Sequence, residues 1–266
     1  RDNSARFAAP TPNVQPETQE DNQDAVSVPG GLHFVAPTEL VELPSKGLLY
    51  SEGHPLHKQE EIEIKLMTAK EEDILVNQSL LKKGVALDRM LQAIIVNKKI
   101  KLDDLLVSDK NAIVIASRIS AYGSDYKAKV NCPSCGTASD YEFDLEDKEI
   151  KYLYEHDRDD ITITENGNFL VTLPKTKVDV EFRLLRGRDE KRLVQLNKKN
   201  KGLVPLTEQF KSFITAVNGV SDRNLIDQFV DVMPAYDSKF LRTVYADAVP
   251  AVNLEQYFEC SECGHS

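Results

Sequence analysis

The chain has 266 residues, of which 41% are hydrophobic, and its formal net charge is −10. This length suits one large domain or two modest ones with an adequate core, and the acidic balance argues against general binding to nucleic acid or anionic membranes. No stretch approaches the roughly 18 consecutive apolar residues of a membrane-spanning helix, so we expect a soluble, unsecreted protein that acts through other proteins.

Residues 1–30 are predicted to form a disordered arm, or one that becomes ordered only against a partner. They combine four prolines with polar and acidic residues and offer too few apolar positions to bury. Residues 61–67 alternate apolar and charged side chains with the period of a half-buried strand. We therefore expect an ordered N-terminal α+β part over residues 31–135.

Three helices are predicted in this part. Thr68 and Glu71 form a T-x-x-E capping box, which is typical of a helix start. Apolar residues at helical spacing predict a second helix over residues 87–97. A third is expected to follow Ser108 and to end at Gly123.

β-structure is predicted from residue 125 onward. Alternating apolar residues indicate strands near residues 126–130 and 141–145, and a hairpin over residues 169–184. The last third has helical patterns at residues 210–217, 225–233 and 240–245, followed by an expected closing strand at residues 254–258. The predicted fold class is α+β, with mixed helices and antiparallel hairpins.

All four cysteines lie in two C-x-x-C knuckles, each followed by glycine: Cys132 and Cys135 before Gly136, and Cys260 and Cys263 before Gly264. The spacing lets both sulfurs of a knuckle face one ion at about 2.3 Å, and glycine allows the tight, positive-φ turn that follows. Four thiolates form a closed tetrahedral set, which indicates a structural zinc. Rubredoxin-like iron, and thiols or local disulfides without a metal, stay open as alternatives.

The knuckles are separated by the 124 residues 136–259. We interpret this segment as an insertion within a zinc ribbon, with residues 260–266 as the second knuckle. Closing a loop of that length costs on the order of 4 kcal/mol, so zinc is expected to stabilise the fold as a whole.

Two other groups imitate metal sites. His54 and His57 flank Pro55 and have no further ligand at helical spacing, which favours a polar loop. Residues 156–160 alternate acidic side chains as a calcium loop does, but they lack its glycine and terminal glutamate. A solvated acidic loop is the preferred interpretation.

A basic stretch stands out in this acidic chain and has a local charge of +5: Arg186, Arg188, Lys191, Arg192, Lys198, Lys199 and Lys201, against two acidic residues. Three interpretations stay open, namely a solvated helix face, a docking surface for an acidic partner, and a nucleic-acid contact. The last is disfavoured because no aromatic residues interleave the stretch for base stacking.

The sequence contains none of the common nucleotide-binding, serine-hydrolase or zinc-protease patterns. We therefore expect a protein that is not an enzyme. A hydrolase that uses the carboxylates at residues 157–160 stays open as an alternative.

Three stretches together carry a family resemblance: LPSKGLLY (43–50) with GHPL (53–56), MTAKEEDIL (67–75) running into KKG (82–84), and YG (122–123) with CPSCG (132–136). The chain resembles the baseplate proteins of T-even-type contractile-tailed phages, the family associated with baseplate hub assembly. The likeness is closest over residues 43–136 and looser over residues 137–265.

This resemblance implies a role in building the hub of the tail baseplate in the host cytoplasm, with retention in the virion tail left open. Implied partners are other baseplate or hub proteins and the tape-measure protein. One alternative is a chaperone of the tape-measure or hub proteins that is absent from the mature virion. Another is a zinc-ribbon module that binds nucleic acid through the basic stretch.

Overall fold

A computed structural model describes residues 26–27, 33–34, 36–155, 158–199 and 204–266. The chain forms two compact units, Arg1–Ala36 and Pro37–Ser266. In the first unit, strand β1 (Val26–Ser27) pairs antiparallel with β2 (His33–Phe34). Apart from β1, the predicted arm at residues 1–30 lies outside the described residues, and the predicted domain boundaries stay predictions.

The second unit combines helices and short strands, which confirms the α+β prediction. Its helices within the described residues are α1 (Ala69–Val76), α2 (Gln78–Lys83), α3 (Ala86–Ile94), α4 (Val107–Tyr122), α5 (Gly187–Lys199), α6 (Leu206–Phe213), α7 (Arg223–Val232), α8 (Ala235–Ala248) and a 3-10 turn at Leu102–Asp104. Its strands are β3 (Thr38–Glu42), β4 (Glu61–Lys65), β5 (Asp125–Asn131), β6 (Ala138–Asp144), β7 (Glu149–Lys151), β8 (Thr162–Ile163), β9 (Phe169–Thr172), β10 (Asp179–Phe182), β11 (Ile214–Val217) and β12 (Ala251–Asn253). None of the helices in the described part is both long and apolar enough to cross a membrane.

The largest sheet has four antiparallel strands in the order β11-β10-β9-β8. Its hairpin β9–β10 confirms the predicted one, and Phe169 and Phe182 stack at 5.3 Å in the core. The expected helix over residues 210–217 is wrong in its second half, because Ile214–Val217 form edge strand β11. β-branched side chains favour an extended backbone, and β10 offers this segment a ladder of hydrogen bonds.

The helices of the N-terminal part match their predictions closely. The Glu71 carboxylate accepts a hydrogen bond from the Thr68 N–H at 3.0 Å, which forms the expected capping box. Helix α4 ends at Gly123, whose φ of +81° is one that glycine readily adopts. The sequence did not predict α2, a single short helix between α1 and α3.

The turn at residues 43–50 is fastened to the start of α4 by a buried carboxylate. Asp109 accepts hydrogen bonds from the Ser45 N–H at 3.0 Å, the Ser45 hydroxyl at 2.6 Å and the Tyr50 hydroxyl at 2.8 Å. The Tyr50 oxygen in turn accepts from the Leu106 N–H at 3.0 Å. A buried carboxylate is stable only when such donors replace water, so this turn and α4 are held as one piece.

Strands β7 and β12 bring together the two ends of the segment between the knuckles. Ala251 pairs with Lys151, and Asn253 with Glu149, in a two-stranded antiparallel sheet. The Lys151 ammonium also donates to the Asp247 carbonyl oxygen at 2.6 Å. The pairing of β7 with β12 therefore closes most of the loop between the knuckles. A bound metal would join only the short segments that lead from these strands to the cysteines.

Candidate metal centre

The first knuckle lies at the tip of the hairpin formed by β5 and β6. Seven residues of each strand pair in unbroken antiparallel register, from Asp125 opposite Asp144 to Asn131 opposite Ala138. One face of the hairpin is charged and solvent-exposed, while the other carries Tyr141 and other partly buried side chains. The first C-x-x-C knuckle therefore lies between the two strands that the sequence predicted near residues 126–130 and 141–145.

The two knuckles have the same backbone hydrogen bonds. In the first, the Cys132 carbonyl oxygen accepts from the Gly136 N–H, and the Cys132 N–H donates to Thr137 O, both at 2.9 Å. In the second, Cys260 makes the same two bonds with Gly264 and His265, also at 2.9 Å. Gly136 and Gly264 have φ of +75° and +67°, as expected for the turn after each knuckle. Each turn thus points both of its sulfurs inward.

The four sulfurs converge at one point. The Sγ atoms of Cys132 and Cys263 lie 3.6 Å apart, those of Cys135 and Cys260 lie 3.7 Å apart, and all four fall within 4.8 Å of one another. A disulfide would bring two sulfurs to about 2.05 Å, whereas four sulfurs at about 2.3 Å from a tetrahedral ion lie about 3.8 Å from one another. The spacing therefore fits metal ligation and not disulfides.

The electrostatics of the four sulfurs also favour a bound cation. Hydrogen bonds from Thr137 lower the pKa of Cys135 to about 6, so one thiolate forms readily. At Cys263 a hydrogen bond from the His265 backbone lowers the pKa, but the neighbouring cysteine thiols outweigh it and raise the pKa to about 12. Four adjacent thiolates repel one another, and a bound cation removes that repulsion.

Cysteines at corresponding positions of the two knuckles are buried to a similar degree. The first cysteine of each knuckle, Cys132 or Cys260, is buried, with 2% and 1% of its surface exposed. The second, Cys135 or Cys263, is exposed. Within the described residues these four form the only group of three or more His, Cys, Asp or Glu side chains that could hold a metal ion.

The segment that leads to the second knuckle differs from its prediction. The expected strand at residues 254–258 is wrong, because the closing strand β12 ends at Asn253 and residues 254–260 have no regular structure. Instead, the Phe258 ring packs edge-on against Tyr141, with centroids 5.2 Å apart, and the Gln256 side chain donates to Asp144 O. Sequence reasoning missed this aromatic contact, although Phe258 lies only two positions before Cys260.

The histidines that imitate a metal site serve a local turn. His54 Nδ1 accepts from the Leu56 N–H at 3.1 Å, and its ring stacks on Tyr50 at 4.5 Å. His57 Nδ1 lies 2.6 Å from Tyr50 O. Both rings are therefore engaged in the loop that the sequence predicted.

In the candidate calcium loop, the Arg158 side chain pairs with an acidic side chain of the loop itself. Arg158 forms ion pairs with Asp160 at 2.6 Å and with Asp247 at 2.9 Å. His156 and Asp157 lie outside the described residues. The Asp160 carboxylate thus has a cationic partner within the chain itself.

The basic stretch does not form one continuous surface. Arg186, just before α5, is half-buried and donates to Asp104 O at 2.6 Å and to Leu49 O at 2.9 Å. Three further members of the stretch have carboxylate partners within the chain: Arg188 with Asp104 at 2.8 Å, Lys191 with Asp103 at 2.5 Å, and Arg192 with Glu208 at 3.5 Å. Lys198 and Lys199 are exposed in the last turn of α5, and Lys201 lies outside the described residues.

Comparison with known proteins identifies the family. The family model described as T4 bacteriophage base plate protein matches residues 38–266. The chain belongs to this family. Comparisons with curated proteins and with solved structures gave no match. Membership in the T4 base plate protein family indicates a structural role in the phage tail baseplate and contact with other phage structural proteins.

The match covers both knuckles and all of the helices and sheets of the second unit. The resemblance inferred from residues 43–136 is therefore confirmed and extends through the looser region. For a T4-type base plate protein, surfaces that contact other proteins are the functional features of interest.

Proposed function

We propose that this baseplate protein acts in building the hub, as an assembly or structural component that binds other hub proteins and catalyses no reaction. The observation that carries the proposal is the four-sulfur centre in a member of the baseplate family. Cys132, Cys135, Cys260 and Cys263 would hold one zinc ion, which would cross-link the β5–β6 hairpin to the segment after β12. Because four thiolates fill a tetrahedral shell, such a centre offers no position for water or substrate.

A structural metal suits a protein whose hairpin has little core of its own. None of the buried residues of the main hydrophobic core comes from β5 or β6. The zinc would hold the hairpin in one orientation for its partners.

Two measurements test the proposal. Elemental analysis of the gently purified protein should find about one zinc per chain, and finding neither zinc nor iron would refute the metal centre. A mass-spectrometric inventory of purified tails and of tail assembly intermediates should find the chain in both. Presence in intermediates alone would favour a chaperone that leaves before the virion matures, and absence from both would contradict a role in hub building.

A further inference from the structure

A groove runs between α3 and α5, on a different part of the molecule from the cysteine centre. It consists of two neighbouring cavities of about 440 and 250 Å³, which share Val85, Asp88 and Lys191 in their walls. Helix α3 lines both cavities, α5 lines mainly the smaller one, and residues 101–103 line the larger one. Two adjoining cavities form a concave surface of the kind on which a segment of another chain docks.

Part of the groove is apolar and exposed. The side chains of Leu87 and Val194 both line the smaller cavity, and they are 43% and 45% exposed. Gly84 borders the same cavity and adds no side chain to fill it. Single exposed apolar residues are ordinary on protein surfaces, but two that face one concavity offer an anchor point for an apolar side chain.

The charge of the groove is opposite to that of the protein. Six basic and three acidic side chains line the two cavities, which gives +3 locally in a chain of net charge −10. Each of the three acidic residues already has a lysine partner: Lys110 pairs with Asp88 and with Glu190, each at 2.8 Å, and Lys191 pairs with Asp103 at 2.5 Å.

The remaining four basic residues are divided between the two cavities. Lys83 and Lys198 line the smaller cavity, and Arg89 and Lys101 line the larger one. All four are exposed, and within the described residues none of them forms an ion pair with a carboxylate. Positive charge in both cavities, beside exposed apolar side chains in the smaller one, is complementary to an acidic segment that carries an apolar side chain.

We propose that this groove binds an acidic segment of another phage structural protein, with an apolar side chain against Leu87 and Val194. The proposal rests on the proposed function, which requires protein partners, and it adds their chemistry. A protein segment suits the groove better than nucleic acid, because no aromatic side chain lines either cavity for base stacking. It also divides the basic stretch of the sequence: Lys191 and Lys198 face the groove, whereas Arg186 is tied to backbone carbonyl groups.

Binding of a fluorescein-labelled 12-residue peptide of repeating Leu-Glu-Glu tests the groove directly. The full chain should bind this peptide saturably, and Lys83→Glu with Lys198→Glu should weaken binding by about tenfold or more, since two cations of the smaller cavity become anions that repel the peptide's carboxylates. The matched control is Lys82→Glu with Lys199→Glu. It makes the same charge change in the last turns of the same two helices but at residues that do not line the groove. Its effect should stay below about threefold.

Three results would overturn the proposal: no saturable binding by the unaltered chain, equal weakening by both double variants, or tighter binding of a single-stranded 12-mer oligonucleotide. A photo-cross-linking residue in place of Val194, used in tails purified from infected cells, should attach to a segment of net negative charge. Attachment to a basic segment would also refute it. If Lys83→Glu with Lys198→Glu assembles into baseplates as well as the unaltered chain, the groove inference fails while the proposed function stands.

Discussion

The Sγ atom of Cys132 lies 3.6 Å from that of Cys263, although 131 positions separate the two residues in the sequence. One ion would therefore hold two distant parts of the chain, and losing a ligand from either knuckle should have the same effect. We expect Cys132→Ser and Cys260→Ser to lower zinc affinity equally, by about a hundredfold or more, because each leaves three thiolates and an open shell. In thermal unfolding, the double variant should be little less stable than either single one, because either substitution alone already opens the shared shell.

Zinc affinity, measured by competition with a chromophoric chelator, checks this expectation. Ser134→Ala and Ser261→Ala are matched controls within the same two knuckles, since both side chains are exposed and neither supplies a ligand. Unequal losses of zinc affinity, or losses of stability that add in the double variant, would mean that the knuckles act separately.

Metal removal should loosen the centre locally. From the sequence we expected zinc to stabilise the whole fold, but the pairing of β7 with β12 already joins the ends of the intervening segment. We therefore expect a chelator to raise amide hydrogen exchange in residues 125–145 and 254–266, and to move the main thermal transition by only a few degrees. Unfolding of the whole chain by the chelator would restore the original expectation.

The sequence predicted those features that depend on local patterns. The capping box at Thr68 and Glu71, the glycine end of α4 and the paired knuckles each require only neighbouring residues, and the structure shows all three. Strand β11 was missed because Ile214–Val217 continue the helical spacing of α6, and only the edge of β10 makes them extended. Contacts between residues far apart in the sequence also determine which members of the basic stretch are exposed. The carbonyl groups that accept hydrogen bonds from Arg186 belong to Leu49 and Asp104.

Two glycines in the turns between β3 and β4 allow the cost of a positive φ to be separated from the cost of a steric clash. Gly47 has φ of +68°, and a Cβ atom there would collide with the Leu56 carbonyl oxygen and lie 2.5 Å from the Gln59 nitrogen. Gly53 has φ of +88°, but nothing lies within 4 Å of its Cβ position. Gly53→Ala should cost about 1–2 kcal/mol from the backbone alone, and Gly47→Ala should cost more than about 3 kcal/mol because backbone atoms must also move.

Urea unfolding of both variants measures the two costs. Similar losses at Gly47 and Gly53 would show that the close approach at Gly47 relaxes without cost. In that case backbone strain alone would account for both glycines.

The ion pair between Arg183 and Asp189 should make stability depend on pH. The guanidinium donates to both carboxylate oxygens, at 2.7 and 2.9 Å. Burial raises the pKa of Asp189, but hydrogen bonds from the Arg183 side chain and the Arg186 N–H outweigh it and hold the pKa below its usual value. Stability from this carboxylate is present above the unfolded-state pKa of about 4, and it is lost as pH falls through the lower folded-state pKa.

We therefore expect Asp189→Asn to lower the free energy of unfolding by about 2 kcal/mol at pH 7, with a difference that shrinks below pH of about 4. Denaturant unfolding at several pH values measures it. Glu142→Gln is the control, since its ion pair with Lys127 at 3.4 Å is exposed and should contribute less than about 0.5 kcal/mol. A difference that persists at low pH would assign the loss to packing rather than to charge.

The order of the cysteines in the chain also sets the order of events during synthesis. Cys260 follows Cys135 by 125 positions, and translation at about 5–20 residues per second separates the two knuckles by roughly ten seconds. During that interval the strands and helices between the knuckles emerge from the ribosome. Cys132 and Cys135 then lack the second pair of sulfurs that completes the centre. The four-sulfur centre can close only after this material has emerged, so a filled centre marks a chain whose intervening segment has been fully made.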